Sequence, residues 1–215
     1  MKTAMVFGAT GLIGLHVVEL LLNAEEYDKV IVISRRPTGY DHPKIEEKII
    51  DFSEISLKKT GKADIVFCCL GTTINKAGSK EKFRYVDYHL PVEIAKHTAT
   101  ESIPRLVVVS SIGATTETKN FYLLTKGEME RDVSKQQIPY ITFVRPSLLL
   151  GSRKEFRFGE EVGKVLAKLL SPFMFGGLKK YKAIHAEKVA RAMLFIGKME
   201  KPGQIYENDQ LFKLQ

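Results

Sequence analysis

The sequence predicts an α/β fold with a doubly wound parallel sheet and a small C-terminal extension. Two observations lead to this prediction. Short apolar runs of strand length alternate with segments whose apolar residues recur at helical spacing, which indicates βαβ units. The runs are continuous rather than alternating, as in residues 105–110, and this is typical of strands that helices cover on both faces.

The elements follow in a regular order as far as Pro146. We expect strands at residues 3–7, 29–34, 48–50, 63–70, 105–110 and 140–144, and a short final strand within 203–215. We expect helices at residues 12–23, 80–100, 121–136, 159–171 and 186–198. Residues 1–215 are expected to form one domain, in which residues 148–182 make a small lobe.

The composition suits an ordinary folded domain with a basic surface. Of the 215 residues, 44% are hydrophobic, which is enough for a sizeable core. The formal net charge of +8 would suit an anionic partner. The basic residues are spread along the chain, however, so a solvated basic surface is the simpler interpretation, and we expect no nucleic-acid partner.

The two cysteines, Cys68 and Cys69, are adjacent in an apolar run and are expected to be buried strand residues. They have neither a disulfide pattern nor the spacing of a zinc site, so we expect no metal. The N-terminus does not resemble a signal peptide, and no apolar run is long enough to span a bilayer. These features predict a cytoplasmic location and no membrane partner.

A glycine-rich segment lies between the first predicted strand and the first predicted helix. It reads Gly8-Ala9-Thr10-Gly11-Leu12-Ile13-Gly14. In such turns one glycine permits the tight backbone, a second lets a pyrophosphate approach, and a third packs the helix against the strand. Phosphates then meet free N–H groups at the helix N-terminus. The context predicts a Rossmann fold that binds a dinucleotide through residues 8 and 10–14, and the alternative is a tight turn without a ligand.

The residues after the second predicted strand bear on which dinucleotide binds. NAD sites place a carboxylate there, but this chain has Ser34, Arg35 and Arg36. Two guanidinium groups suit a 2′-phosphate, so we expect NADP(H) rather than NAD(H). The alternative is that these arginines are only solvated. Asp51, after the third predicted strand, is expected to meet the adenine amino group.

Three features together resemble the short-chain dehydrogenase/reductase superfamily. They are the Gly8/Gly11/Gly14 turn, the Ser110-Ser111 pair that ends the fifth predicted strand, and the segment Tyr122-Leu-Leu-Thr-Lys126. The segment Phe121-Tyr122-Leu-Leu-Thr-Lys126-Gly127-Glu128 is similar to the atypical, Tat-interacting-protein-like branch, as are Cys69-Leu70-Gly71-Thr72-Thr73 and Ser110-Ser111-Ile112-Gly113-Ala114. The resemblance extends over residues 1 to 198.

The resemblance implies a role for each of these residues. Tyr122 would be the acid/base, Lys126 would bind the cofactor ribose, and Ser111 would orient the substrate, with Ser110 as the alternative for that role. Tyr122 and Lys126 are four residues apart and therefore share a helix face. A free phenol has a pKa of about 10, and a nearby ammonium lowers it. The cofactor is also expected to contact Leu70, Gly71, Thr72, Pro146 and Ser147, although Pro146 is equally well explained as a proline that ends a strand.

One residue departs from the pattern of many relatives, which carry an asparagine in the helix before the fifth strand. This chain has Asp87 there, an acceptor-only charge, and this puts a proton-relay role at that position in doubt. His89, His97 and His185 have no evident partner in the sequence and are expected to be structural or solvated.

These features predict an NADP(H)-dependent oxidoreductase that acts on a small carbonyl or alcohol. The alternative is a binding protein that senses the redox state of NADP(H) and reports it to a protein partner. Epimerase or dehydratase chemistry on a nucleotide sugar uses the same residue set, but similar enzymes need a larger substrate lobe than this chain offers. Neither the substrate nor the oligomeric state follows from the sequence.

Overall fold

The computed structural model describes residues 2–51, 60–151 and 180–214. The strands are β1 (Lys2–Phe7), β2 (Tyr27–Ser34), β3 (Ile45–Ile49), β4 (Ile65–Cys68), β5 (Arg105–Val109), β6 (Tyr140–Arg145), β7 (Leu149–Leu150), β8 (Ile184–His185) and β9 (Gln204–Glu207). The helices are α1 (Leu12–Asn23), α2 (Ile74–Ala77), α3 (Lys80–Arg84), α4 (Leu90–Thr100), α5 (Phe121–Val133), α6 (Ala186–Gly197) and α7 (Asn208–Leu211), and a π-helical turn at Tyr85–His89 joins α3 to α4.

Seven strands form one parallel sheet in the order β3-β2-β1-β4-β5-β6-β9. From the central strand β1 the chain proceeds outward to β2 and β3, and it then returns to add β4 on the other side of β1. The strand order therefore reverses between β1 and β4. In open α/β sheets, ligands bind in the crevice at the carboxyl ends of the strands at such a point.

The register brings the carboxyl ends of the central strands to one level. Phe7 at the end of β1 lies opposite Ile33 of β2 and Cys68 of β4, and Cys68 lies opposite Val108 of β5. The loops that follow these strands therefore meet at one edge of the sheet. These loops contain the glycine turn, the arginine pair and the two serines.

Helices cover both faces of the sheet, which confirms the doubly wound α/β fold. On one face α1 packs against α6, and the core there includes Val6, Val17 and Met193. On the other face α4 and α5 cover Met5, Phe7 and their neighbours. Because strand residues alternate between the two cores, the fully buried stretches of the central strands, such as residues 4–7 and Ile65–Cys68, are apolar at every position, and this explains the continuous apolar runs.

The structure differs from the predicted elements at several places. β3 begins at Ile45 rather than at residue 48, because the charged residues of this edge strand hide its pattern. The helix expected over residues 80–100 contains the π-helical turn, and β4 is shorter than expected. The tail holds the expected strand, β9, followed by the short helix α7, which was not expected. The helix predicted at residues 159–171 lies outside the described residues.

The short strands β7 and β8 pair with each other in a separate two-stranded sheet. They flank residues 152–179 of the predicted lobe, which lie outside the described part of the chain. In the described ranges, none of the helices combines the length and the hydrophobicity that a membrane crossing needs.

Candidate functional site

The backbone of the glycine turn is tightly packed at Gly8 and Gly14. Gly8 has a φ of +79°, and a Cβ atom there would lie 2.7 Å from the Cys69 carbonyl oxygen. A Cβ at Gly14 would lie 2.1 Å from the Gly8 carbonyl oxygen. The Gly11 N–H donates a hydrogen bond to that same oxygen at 2.8 Å. The turn is therefore closed tightly onto β4 and α1 by contacts that a larger residue would break.

The first turn of α1 fits an anionic ligand. Among the described residues no side chain caps this turn, and the turn contains no acidic residue. Its N–H groups and the positive end of the helix dipole are therefore suited to a pyrophosphate. The side chains of Leu12 and Ile13 are buried in the core, so only their backbone can contribute, whereas Thr10 is exposed.

The pair Arg35 and Arg36 lies on the same edge of the sheet as the glycine turn, because β1 and β2 are parallel neighbours. Both arginines are exposed. Ser34 is buried, and its hydroxyl donates to the Arg36 carbonyl oxygen at 2.7 Å. The hydroxyl of Ser34 therefore shapes the turn that presents the arginines.

Two tyrosines that the sequence analysis did not single out lie at this rim. The Tyr40 hydroxyl donates to the Ala9 carbonyl oxygen at 3.2 Å, which ties the segment after the arginines to the glycine turn. Tyr85 is exposed at the surface. The burial of the remaining part of its side chain and the charge of Asp51 raise its pKa, while the charge of Arg35 lowers it. Tyr85, Asp51 and Arg35 are therefore near enough to interact electrostatically. No local sequence pattern signals either tyrosine.

Helix α5 carries the Tyr-x-x-x-Lys pair and is held close to the sheet edge. The Asn120 side chain caps it by accepting a hydrogen bond from the Leu123 N–H at 3.1 Å. A Cβ atom at Gly127 would lie 2.2 Å from the carbonyl carbon of Thr115, so α5 rests directly on the backbone of the loop after β5. This contact places Tyr122 and Lys126 beside the serines of that loop.

The two serines of the loop have different surroundings. Ser111 lies close enough to Tyr122 to lower the pKa of its phenol, and the Ser111 hydroxyl donates to the Ile112 carbonyl oxygen at 3.4 Å. The Ser110 hydroxyl is fully buried and has no hydrogen-bond partner among the described residues. Of the two alternatives, Ser111 is the serine that the structure brings to the tyrosine.

Tyr122 is half-buried beneath Phe83, with ring centroids 5.5 Å apart. Burial raises its pKa, Lys126 and Ser111 lower it, and the charge of Asp87 raises it. The net direction is upward, so the expected lowering by Lys126 is present but is outweighed in this structure. Tyr122 therefore keeps its proton at neutral pH.

Lys126 is almost completely buried and forms an ion pair with Asp87. Its Nζ lies 2.7 Å from Asp87 Oδ1, and the two side chains are 3% and 1% exposed. Burial alone would lower the pKa of the lysine, but the charges of Asp87 and Tyr122 outweigh burial and raise it. The sequence analysis noted Asp87 only as a departure from the family pattern, whereas the structure places it against Lys126.

The segment Leu70-Gly71-Thr72 follows β4 and reaches the same carboxylate. The Thr72 N–H donates to Asp87 Oδ2 at 2.9 Å. Gly71 is exposed, and a Cβ there would lie 3.6 Å from Asp87 Oδ1. Leu70 is half-buried against the core beneath α4 and α5.

Pro146 and Ser147 have structural partners next to the serine loop. The Ile112 N–H donates to the Pro146 carbonyl oxygen at 3.1 Å. The Ser147 N–H donates to Asn208 Oδ1 at 3.0 Å, and its hydroxyl donates to the Lys182 carbonyl oxygen at 2.6 Å. These bonds join the end of β6 to the segment after the undescribed residues.

The remaining polar candidates, which are histidines and a cysteine, lie away from this edge or are unreactive. His97 bonds to Thr60 at 2.7 Å inside the protein, whereas His89 and His185 are exposed. Burial raises the pKa of the Cys68 thiol to about 11, so it is a poor nucleophile. Within the described residues there is no group of three or more His, Cys, Asp or Glu side chains that could hold a metal ion.

Comparison with known proteins agrees with this geometry. A family model described as NAD(P)H-binding matches residues 8–194. Protein FMP52, mitochondrial, from Meyerozyma guilliermondii is 31% identical over 196 residues, which cover 89% of this chain and 84% of the relative. The protein of the same name from Candida glabrata is 35% identical over 160 residues, covering 74% of this chain and 68% of the relative.

Two solved structures show the same fold. A short chain dehydrogenase family protein from Francisella tularensis superposes with a TM-score of 0.68 at 17% identity, covering 100% of both chains. MoeE5 in complex with UDP-glucose and NAD superposes with a TM-score of 0.71 at 16% identity, covering 96% of this chain and 75% of MoeE5.

The comparisons contradict the expected cytoplasmic location. The relatives named above are both named as mitochondrial proteins. The absence of a recognisable signal segment was therefore a poor guide to the compartment.

The glycine turn, the uncapped start of α1 and the matched family all indicate a nicotinamide cofactor at this edge of the sheet. The chain belongs to the NAD(P)H-binding family, which agrees with the resemblance to short-chain dehydrogenases/reductases seen in the sequence.

Proposed function

We propose that this protein is an NADP(H)-dependent oxidoreductase that interconverts a small carbonyl compound and its alcohol. The observation that carries the proposal is the placement of Ser111 near Tyr122, which lies one helical turn from the buried Lys126. A hydroxyl donor, a proton-carrying phenol and a cation are thereby gathered at the carboxyl end of β5. These are the groups that a carbonyl oxygen needs when it gains or loses a proton.

In the proposed mechanism the residues of this chain bind the cofactor, orient the substrate and transfer a proton. The N–H groups at the start of α1 hold the pyrophosphate, and Ser111 holds the substrate oxygen at the Tyr122 hydroxyl. The bound cofactor supplies the hydride chemistry. Tyr122 donates the proton to the substrate oxygen in one direction and accepts it in the other. Lys126 contributes positive charge close to the phenol and is proposed to meet the ribose.

The preference for NADP(H) rests on the exposed pair Arg35 and Arg36 at the end of β2. Ser34 fixes the backbone of this turn, and Asp51 lies close enough to Tyr85 to interact electrostatically with it. A 2′-phosphate would gain charge-assisted hydrogen bonds from the guanidinium groups. We propose that Asp51 meets the adenine, and that Thr10, Gly71 and Pro146 contribute to the rest of the cofactor site.

The experiment is a screen for NADPH oxidation with a panel of small carbonyl compounds, using wild type and Tyr122→Phe. The proposal expects turnover by wild type that falls at least a hundredfold in Tyr122→Phe, in line with the usual contribution of acid catalysis of roughly 10²-fold or more. Binding of NADPH, measured by calorimetry, should survive the substitution. Equal turnover in both proteins would contradict the role of Tyr122. Tight binding without any turnover would favour the redox-sensing alternative.

A further inference from the structure

The Asp87 carboxylate joins two parts of the site that are separate in the sequence. One oxygen contacts the Lys126 ammonium on α5, and the other accepts the Thr72 N–H from the loop after β4. Asp87 itself lies on the π-helical turn. A single buried side chain therefore connects the helix that carries the proposed catalytic tyrosine to the loop proposed to meet the cofactor.

Because this ion pair is buried, the charge of each of its two groups affects the protonation of the other. A buried ammonium without a partner is costly and tends to lose its proton. Asp87 offsets that cost for Lys126, because the two groups are in direct contact where almost no solvent reaches them. An asparagine at this position would keep the shape but would leave the lysine charge uncompensated.

The same carboxylate also affects the proton on Tyr122. The groups that face the tyrosine are Lys126 on its own helix, Asp87 on the π-helical turn and Ser111 on the loop after β5. Cys68 on β4 interacts with Lys126 and Asp87, but burial keeps its thiol protonated. Within this cluster the lysine favours the phenolate, whereas Asp87 opposes it. Asp87 therefore acts to retain the protons of both Lys126 and Tyr122.

We propose that Asp87 is a positioning residue that fixes the Lys126 ammonium beside Tyr122 and keeps both groups protonated at neutral pH, so that the site is set for reduction of a carbonyl group. This inference rests on the proposed function and adds the direction of the reaction. In reduction the carbonyl carbon accepts a hydride from the bound reduced cofactor, which is thereby oxidised. The carbonyl oxygen accepts the Tyr122 proton, and the tyrosinate regains a proton from water.

The test is an NMR titration of the free protein with ¹³C at tyrosine Cζ and lysine Cε, in wild type and in Asp87→Asn. Substitution of Tyr122 by Phe identifies the tyrosine signal. The proposal expects the first proton to leave the Tyr122–Lys126 pair at a pH lower by at least about one unit in Asp87→Asn, because a buried negative charge has been removed. An unchanged or higher pH for that first step would overturn it.

Asp132→Asn is the matched control. Asp132 is also a carboxylate in contact with the π-helical turn, through Tyr88 at 2.8 Å, and with a lysine of the chain, Lys135, at 2.7 Å. The Asp132→Asn substitution also removes one negative charge, but from α5 and without contact with Lys126, so the titration of Tyr122 should match wild type. The titration needs neither cofactor nor turnover, so it can fail while the proposed oxidoreductase activity stands, and it can succeed in a protein that proves inactive.

If Asp87→Asn does not fold, the double variant Asp87→Asn/Lys126→Gln removes both charges of this buried pair and supplies the test. If the carboxylate compensates the ammonium, removing both should leave the pH at which Tyr122 titrates within about half a unit of the wild-type value. A rise of one unit or more would show that Lys126 acts uncompensated, and would overturn the proposal. In active protein, the pH at which carbonyl reduction slows should fall in Asp87→Asn together with the NMR titration.

Discussion

Gly127 of α5 lies so close to Thr115 that an added Cβ atom would be 2.2 Å from the threonine carbonyl carbon. This contact sets the distance between the helix that carries Tyr122 and the loop that carries Ser111. The neighbour is backbone rather than the end of a flexible side chain, so α5 or the loop would have to move to admit a methyl group. The precision of the site therefore depends on a residue with no chemistry of its own.

Gly127→Ala should both destabilise the protein and abolish turnover. Overpacking of this kind costs about 1–3 kcal/mol, which exceeds the gain of about 1 kcal/mol from the better helix propensity of alanine. Urea denaturation measures the first effect and NADPH oxidation the second. Gly78→Ala is the control, since nothing lies within 4 Å of a Cβ there and only its positive φ is penalised. Full activity in Gly127→Ala would contradict the packing argument.

Gly14→Ala should weaken cofactor binding. Its Cβ would lie 2.1 Å from the Gly8 carbonyl oxygen, so the turn must open and the N–H groups at the start of α1 must shift. We expect a loss of affinity for NADPH of at least about tenfold, or about 1.4 kcal/mol, by calorimetry. Gly203→Ala makes the same chemical change away from the glycine turn, where a Cβ meets nothing within 4 Å and only the positive φ is penalised, and it should bind normally. Comparable losses in both variants would show that the contact is unimportant.

The ion pair between Arg145 and Glu130 should contribute to stability. Arg145 binds Glu130 at 2.6 Å and Glu207 at 2.8 Å, which ties α5, β6 and β9 together. Because Glu130 is buried, Glu130→Ala leaves the arginine partly uncompensated, and we expect a loss of about 2–3 kcal/mol in the free energy of unfolding. Glu187→Ala, which breaks an exposed pair with Arg191, should cost much less. Equal losses would contradict the importance of burial.

His97 should make stability fall as the pH is lowered. Burial lowers its pKa in the folded protein, so below the usual value of about 6.5 the unfolded chain binds more protons than the folded one. The contribution of neutral His97 is therefore complete above that value and is lost progressively as the pH falls below it. Chemical denaturation between pH 7 and about pH 5 should show a shallower decline in His97→Gln than in wild type. Parallel declines would contradict this account.

Much of the fold could be predicted because its signals are local. The continuous apolar strands, the glycine turn and the four-residue spacing of Tyr122 and Lys126 are each contained in one short segment. The two cores on either side of the sheet explain why the strand pattern was continuous. The edge strand β3 was placed less well, because a partly exposed strand with charged residues has no comparable pattern.

The contacts that tune the site were not predictable from the sequence. The Asp87–Lys126 pair and the Tyr40–Ala9 hydrogen bond join residues that are far apart in the chain and are brought together only by the sheet topology. The side-chain surroundings of Ser34 and Leu12, whose contacts with the cofactor stay predictions, were likewise not predictable. The structure uses the Ser34 hydroxyl to shape a turn and buries the Leu12 side chain. Periodicity identifies the elements, whereas side-chain partners depend on tertiary packing.

The edge of the sheet formed by the glycine turn and the arginine pair is proposed to bind NADP(H). The most direct measurement is a calorimetric titration of NADPH and NADH into wild type and into Arg35→Ala/Arg36→Ala. We predict tighter binding of NADPH than of NADH by wild type, and a loss in the variant that is confined mainly to NADPH, because only that cofactor carries the 2′-phosphate. No binding of either cofactor, or equal binding of both by wild type and variant, would contradict the claim.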